Sequence, residues 1–241
     1  MLIPSDVARW RRAWEAAMRH HQPGRDELLA AVLTAVEEMH GQTPQRILDI
    51  GGGPGTTAEA MLRRWPAAHV TVLDVDPVLL ALTDTALPHV RTVRADIATE
   101  RWLAPAGGPY DVMLAMMTVH YLPGERVRAW YAEARRLLRP GGLLLVGDAM
   151  PDAPPVAPTQ PATGGTDPWT EWWTLLAGEP AMASLLRERA AALAGPACAE
   201  FAAPIGWHRE TARRGGFCDV RVLHQRADHV LMAFRRPAEH R

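Results

Sequence analysis

The feature that most constrains this chain is an alternation of short apolar runs with segments of helical period. "RILDI", "HVTVLDV", "VRTVRAD", "YDVMLAMM" and "GLLLVGDAM" read as strands, and "TTAEAMLRRW", "PVLLALTDTAL" and "GERVRAWYAEARRLL" between them read as helices. In the last helix Val127, Tyr131, Ala134 and Leu138 share one face. Apolar runs that do not alternate, joined through helices, require a parallel sheet covered on both faces, so the fold class is α/β. Further on, "GWHRETARRGG" reads as a helix, and "FCDVRVLHQRADHVLMAFRR" as two strands joined by a short turn from Gln225 to Asp228. A parallel sheet therefore ends in a hairpin.

Two stretches fall outside this rhythm. Residues 1–42 read as an N-terminal helical cap, and residues 151–204 interrupt the core, which occupies 43–150 and 205–236. The interruption begins with "PDAPPVAPTQPATGGTDP", too poor in apolar surface to pack and read as a flexible loop. It continues as "WTEWWTLLAGEPAMASLLRERAAALAG", a helical insertion placed to act as a substrate lid.

Composition removes several chemistries. With 241 residues, 48% of them hydrophobic, the chain can bury a substantial core. A net charge of −1 lacks the basic excess of a nucleic-acid binder, so no nucleic-acid partner is expected. No run reaches membrane-spanning length and the N-terminus lacks a signal-peptide core, which points to a cytoplasmic protein with no membrane partner. All 26 basic residues are arginine and asparagine is absent, so a lysine Schiff base, a P-loop lysine and a Cys-His-Asn triad are excluded. Ser5 and Ser184 are the only serines, and neither sits in a G-x-S-x-G turn. Cys198 and Cys218 form neither a disulfide framework nor a zinc pattern and read as small buried apolar residues.

The turn "DIGGGPGTT" between the first strand and its helix is glycine-rich, which lets a ligand approach the backbone closely. In the dinucleotide pattern G-x-G-x-x-G the third glycine would stand at position 56, which is Thr56. The glycines fall instead at 51, 53 and 55, with Asp49 two residues ahead of the first. That spacing resembles motif I of the class I S-adenosylmethionine-dependent methyltransferases. The likeness continues through Asp74 at the end of the second strand, Asp96 at the end of the third, "YDVMLAMMTVHYL", "LLRPGGLLLVGD" and the closing hairpin. It runs from about Arg46 to Phe234, apart from the insertion.

The resemblance implies a Rossmann-like doubly wound sheet of seven strands, order 3-2-1-4-5-7-6 with strand 7 antiparallel, and S-adenosyl-L-methionine as cofactor. It also implies roles. Gly51 and Gly53 admit the methionine part and ribose, Asp49 positions the cofactor ammonium, and Asp74 with Val75 holds the ribose. Asp96 and the Ile97 backbone read adenine, and Met116 lies near the methionine chain. Arg25, at the start of a helix in "HHQPGRDELL", either neutralises the cofactor carboxylate or is a solvated arginine beside Asp26 and Glu27.

Methyl transfer from a sulfonium chiefly needs the nucleophile held in line, an effect worth on the order of 7–11 kcal/mol. If a base is used, His120 is the first candidate, because it follows strand four at the carboxyl edge where open α/β sheets bind ligands. The alternative is a histidine packing the next helix. His208 is a second candidate base, and Tyr121 offers a hydroxyl to orient substrate. Trp169, Trp172 and Trp173 fall on one helix face, where they either wall an apolar or cation-attracting pocket or pack the insertion onto the domain.

Departures from subfamily patterns narrow the acceptor. Without asparagine, the Asn-Pro-Pro-Tyr type of site for nucleobase and amide nitrogens cannot exist. Asp148 is a lone acid at an edge where catechol-type enzymes cluster magnesium ligands, so no metal is expected. The expected function is methyl transfer to a small molecule at O, N or C, in keeping with specialised metabolism. Other displacements with the same cofactor, such as aminopropyl or intramolecular transfer, a nucleotide-dependent oxidoreductase, and a cofactor-binding regulatory protein are the rivals. The oligomeric state stays open, with a homodimer among the options.

Overall fold

Strand β1 (Arg46–Ile50) is buried almost throughout, as a short apolar run in the middle of a sheet must be. The computed structural model describes residues 2–151, 167–194, 199 and 201–238. Around β1 stand β2 (His69–Asp74), β3 (Arg91–Arg94), β4 (Tyr110–Met116), β5 (Leu138–Ala149), β6 (Cys218–Arg226) and β7 (His229–Arg235). They form one sheet of order β3-β2-β1-β4-β5-β7-β6. The first five are parallel, and β7 runs antiparallel to β5 and to β6. Fold class, strand order and the antiparallel last strand agree with the sequence expectation.

Helices cover both faces: α1 (Pro4–His21), α2 (Arg25–Ala35, continued by a π turn at Val36–His40), α3 (Thr56–Arg64), α4 (Pro77–Ala86), the short α5 (Leu103–Ala106), α6 (Gly124–Leu137), α7 (Pro168–Ala177), α8 (Ala183–Ala192) and α9 (Ile205–Arg214). Because strand side chains alternate, β1 sends Leu48 and Ile50 into one core with Trp130, Tyr131 and Ala134 of α6. Ile47 goes into the other, with Leu28 and Val32 of α2 and Met61 of α3. Asp49 shares the parity of Ile47 and therefore faces the α2 side.

Local signals set the helix starts. Asp76 caps α4, accepting from Val78 N and Leu79 N, and Pro77 takes the first turn, where its missing N–H costs nothing. Asp167 and Pro168 do the same for α7. A third cluster joins α1, α4 and α7 through Val7, Trp10, Trp14, Leu82, Trp172 and Leu176, with Leu185 and Leu186 of α8 packed partly against it.

Three expectations need correction. Strand β5 begins at Leu138, upstream of the "RPGG" turn, with a register shift against β4 between Tyr110 and Val112. The hairpin turn is tighter than Gln225–Asp228, since β6 runs to Arg226 and β7 starts at His229. Cys218 is exposed on the edge strand β6, whose charged side chains suit an edge, instead of being buried; Cys198 lies outside the described residues. Most of the stretch read as a loop, residues 152–166, also lies outside them. Among the described residues no helix is long and apolar enough to cross a membrane.

Candidate functional site

The carboxyl edge of β1, β2, β3 and β4 gathers most of the residues singled out in the sequence. Gly51, Gly53 and Gly55 all adopt positive φ (66°, 57° and 75°), which only glycine takes without strain. A Cβ on Gly51 would stand 2.3 Å from Thr118 Oγ1. The turn thus needs glycine both for its backbone angle and for the close passage of the β4 loop.

Asp49 lies beneath this turn, 1% exposed, and its Oδ2 has no hydrogen-bond partner among the described residues. Burial pushes its carboxyl up to about 7, against the pull of the Arg25 charge and with a further push from Asp74. A buried carboxylate oxygen left unpartnered carries the full cost of its desolvation, which a donor from a ligand would relieve. Arg25 is mostly buried, and its ion pair is made with Glu15 and not with Asp26 or Glu27. It forms a two-pronged pair with Glu15 (3.2 and 3.2 Å) and donates to Gln22 Oε1, while Asp26 pairs with Arg19 and Glu27 with Arg226. Burial raises the Glu15 carboxyl, but the Arg25 hydrogen bond and charge outweigh it and hold the group below its usual range.

Asp74 ends β2 with both oxygens engaged by backbone: Gly53 N donates to Oδ2 and Asp76 N to Oδ1, each at 2.9 Å. It ties the glycine turn to the start of α4. Burial raises it to about 6, the two backbone donors opposing. Each oxygen keeps lone-pair capacity for a hydroxyl. Val75 follows, half-buried. Asp96 is exposed and accepts from Ala98 N at 2.8 Å, which bends the chain after β3. The Ile97 carbonyl there accepts from Arg126 Nε at 2.8 Å, and Arg126 is itself locked by a bidentate pair with Glu133.

At the end of β4, Met116 lays its thioether against Gly147, where a Cβ would meet the sulfur at 2.6 Å. Beyond it Asp148, 1% exposed, accepts from the N–H groups of Thr118, Val119 and His120 through Oδ2. Its Oδ1 lies 2.8 Å from Nδ1 of His120. One carboxylate thus shapes the 3-10 turn at Val119–Tyr121 and aims the imidazole. Tyr121 is 54% exposed, its ring 4.2 Å from that of His120. Among the described residues no group of three or more His, Cys, Asp or Glu could hold a metal.

Two expected site residues go elsewhere. His208 is 2% exposed, with its Nδ1 2.9 Å from the Tyr131 hydroxyl; burial depresses it to about 4 and raises the phenol well above its usual value, so the hydroxyl donates to a neutral ring. It is packed into the core and not presented at the edge. Trp172 is 2% exposed, donates to the Trp10 carbonyl at 2.9 Å and meets Trp14 edge-on, so it anchors α7 on α1. Trp169 packs on Trp14 at 4.8 Å. Trp173 covers the Arg189 guanidinium at 3.7 Å.

Other residues of the site gave no separate signal in the sequence. From α1, Arg11 donates to the Pro54 carbonyl at 2.8 Å and pairs with Glu59, and Trp14 lies 3.4 Å from where a Gly53 Cβ would stand. Helix α1 therefore roofs the glycine turn. A charged residue inside an otherwise apolar strand, as Asp148 is in "LLLVGDAM", was the one available pointer to its role. A groove of about 330 Å³ at the opposite, amino edge, lined by Arg46, His69, His89 and Arg91, contains none of these residues.

Known proteins resemble the chain in the same region. Residues 47–142 match a family model described as a methyltransferase domain. A trans-aconitate 2-methyltransferase of Rhodopseudomonas palustris (strain BisB18) is 37% identical over 112 residues, which cover 45% of this chain and 40% of that protein. The chain spans half or less of the length of the curated relatives it matches, from 37% to 50%. An O-methyltransferase family protein from Burkholderia thailandensis superposes with TM-score 0.58 at 19% identity, over 88% of this chain and 56% of that one. The N-methyltransferase NodS from Bradyrhizobium japonicum WM9 gives TM-score 0.54 at 16% identity, over 88% of this chain and 96% of that one. At such identities the likeness establishes the fold alone.

Proposed function

We propose that this chain, whose residues 47–142 match a methyltransferase-domain family model, is an S-adenosylmethionine-dependent methyltransferase acting on a small molecule. The observation that carries this reading is the orphaned Asp49 Oδ2, buried under three positive-φ glycines and flanked by Asp74 at the next strand end. An ammonium donor fits there, and a ribose diol fits the remaining lone pairs of Asp74.

When bound, S-adenosylmethionine supplies a methyl group on a sulfonium whose departure needs no acid catalysis. The chain's task is then to bind, orient and exclude water. Asp49 holds the ammonium, Asp74 and Val75 the ribose, Asp96 and the Ile97 backbone the adenine, and Met116 borders the methionine chain. Gly51 and Gly53 let the ligand lie on the backbone. Arg25 is held by Glu15 close enough to Asp49 to balance its charge when ionised, and offers its remaining donor capacity to a ligand carboxylate.

His120 is the residue that takes a proton from the acceptor. With Nδ1–H donated to Asp148, Nε2 is the basic nitrogen of the ring, and the same carboxylate stabilises the imidazolium once formed. That arrangement suits a hydroxyl or amine acceptor, with Tyr121 beside it at the rim. A second reading, methylation of a carboxylate, is favoured by the likeness to trans-aconitate 2-methyltransferases. A carboxylate needs no base, so the two differ in what His120 does.

The test is to incubate the protein with S-adenosylmethionine and panels of hydroxyl, amine and carboxylate acceptors, and to follow S-adenosylhomocysteine and the methylated product by mass spectrometry. Stoichiometric formation of both supports the proposal. Methylthioadenosine as the cofactor product would identify a different displacement, and cofactor binding with no turnover on any panel would favour a regulatory role.

A further inference from the structure

The insertion contains two helices seated in different ways. Helix α7 is anchored by burial, through Trp172 and Leu176. Helix α8 has no buried residue; Leu185 and Leu186 are only partly covered. What fastens α8 is polar. Arg189 Nε lies 2.6 Å from Asp76 Oδ2, with Trp173 stacked on the guanidinium at 3.7 Å, and the neighbouring Glu188 lies 3.5 Å from Arg94.

The partners of these two residues are informative. Asp76 follows β2, and its N–H donates to Asp74; Arg94 ends β3, two residues before Asp96. Helix α8 therefore spans the carboxyl ends of β2 and β3, with pairs of opposite polarity at its two contacts. Resting on the cofactor assignment above, we propose that α8 is a releasable clamp over the adenosine half of the cofactor, fastened by Arg189, so that the insertion governs cofactor retention.

The two pairs differ in weight. Arg94 and Glu188 are about half exposed, at 46% and 52%, and a pair of that kind contributes little and is screened by salt. Asp76 is 6% exposed and Arg189 29%, and the Trp173 ring shields their contact. Losing Arg189 leaves a buried carboxylate oxygen without its partner, so this contact dominates. The other oxygen of Asp76 still caps α4 through Val78 N and Leu79 N, so the core is expected to survive the loss. Arg189 is a positioning residue: it reaches the ribose-binding Asp74 only through Asp76.

The experiment is stopped-flow release of S-adenosylhomocysteine, followed by tryptophan fluorescence, for the full chain and the variants R189Q, R189K and E188R. The clamp predicts release accelerated by roughly tenfold or more in R189Q, by less in R189K, which keeps the charge, and in E188R, which sets like charges against Arg94. The ligand-free variants should keep cooperative thermal unfolding and an unchanged circular-dichroism signal, with the midpoint lowered most in R189Q, which separates a clamp from a general loss of structure. Release at the wild-type rate in R189Q overturns the clamp while leaving the cofactor reading intact. Should R189Q fail to fold, a wild-type release rate in R189K, which loses the guanidinium stack on Trp173, does the same. Absence of binding by the wild type overturns both.

Discussion

Asp148 and His120 form a carboxylate–imidazole pair, Oδ1 to Nδ1 at 2.8 Å, in which the same aspartate also accepts three successive backbone N–H groups. The imidazole is held by the group that builds its loop. His120→Gln should therefore lower turnover on a hydroxyl or amine acceptor by about 10²–10⁴. Affinity for S-adenosylhomocysteine, measured by calorimetry, should not change. Retained turnover on a carboxylate acceptor would decide for the second reading.

Asp49 makes the ligand-free protein pH-sensitive. Its folded pKa of about 7 lies above the unfolded value of roughly 3.9, so the protonated form is favoured by folding. The stability it contributes is complete below about pH 4 and is lost as pH rises through about 7, amounting to about 4 kcal/mol. Asp49→Asn should raise the melting temperature at pH 8, by a margin that shrinks towards pH 4, while abolishing tight cofactor binding. On the proposed cofactor assignment, an incoming ammonium would ionise the wild-type carboxyl. Calorimetry near neutral pH in buffers of different ionisation enthalpy should accordingly show proton release on binding.

Asp74→Ala should leave the sheet folded and weaken cofactor binding strongly. Each charge-assisted bond to a ribose hydroxyl contributes roughly 1.5–3 kcal/mol, so affinity should fall at least tenfold. A folded variant with wild-type affinity would contradict the ribose assignment.

Gly51→Ala combines a positive φ with a Cβ 2.3 Å from Thr118 Oγ1. Thermal or urea denaturation should show a loss of about 1–3 kcal/mol. Adding Thr118→Ala should cost less in that background than alone, because the two residues share the same space. Simple additivity would mean that the crowding is relieved elsewhere.

The sheet was legible because its central strands are buried on both faces and keep runs such as "LLLV" and "RILDI" free of polar alternation. Asp74 could be placed because it closes such a run, whereas Asp96 stands two residues beyond the short, largely exposed β3. Trp14, Arg11 and Arg189 could not be found this way. Their partners, Gly53, Pro54 and Asp76, lie far along the chain, and nothing local in a helix records which turn it will cross. His208 misled for the opposite reason: a polar residue in "GWHRE" looks available, yet its helix turns that face onto Tyr131. Cys218 was read from average burial, whereas its place on the edge strand decides its exposure.

The most direct test of the central claim is calorimetric titration of the protein with S-adenosylmethionine and S-adenosylhomocysteine, with NADH as control. Saturable one-to-one binding of the first two, lost in Asp49→Asn, and none of NADH is the expected result. Binding of NADH alone, or of none of the three to the folded protein, would contradict the claim.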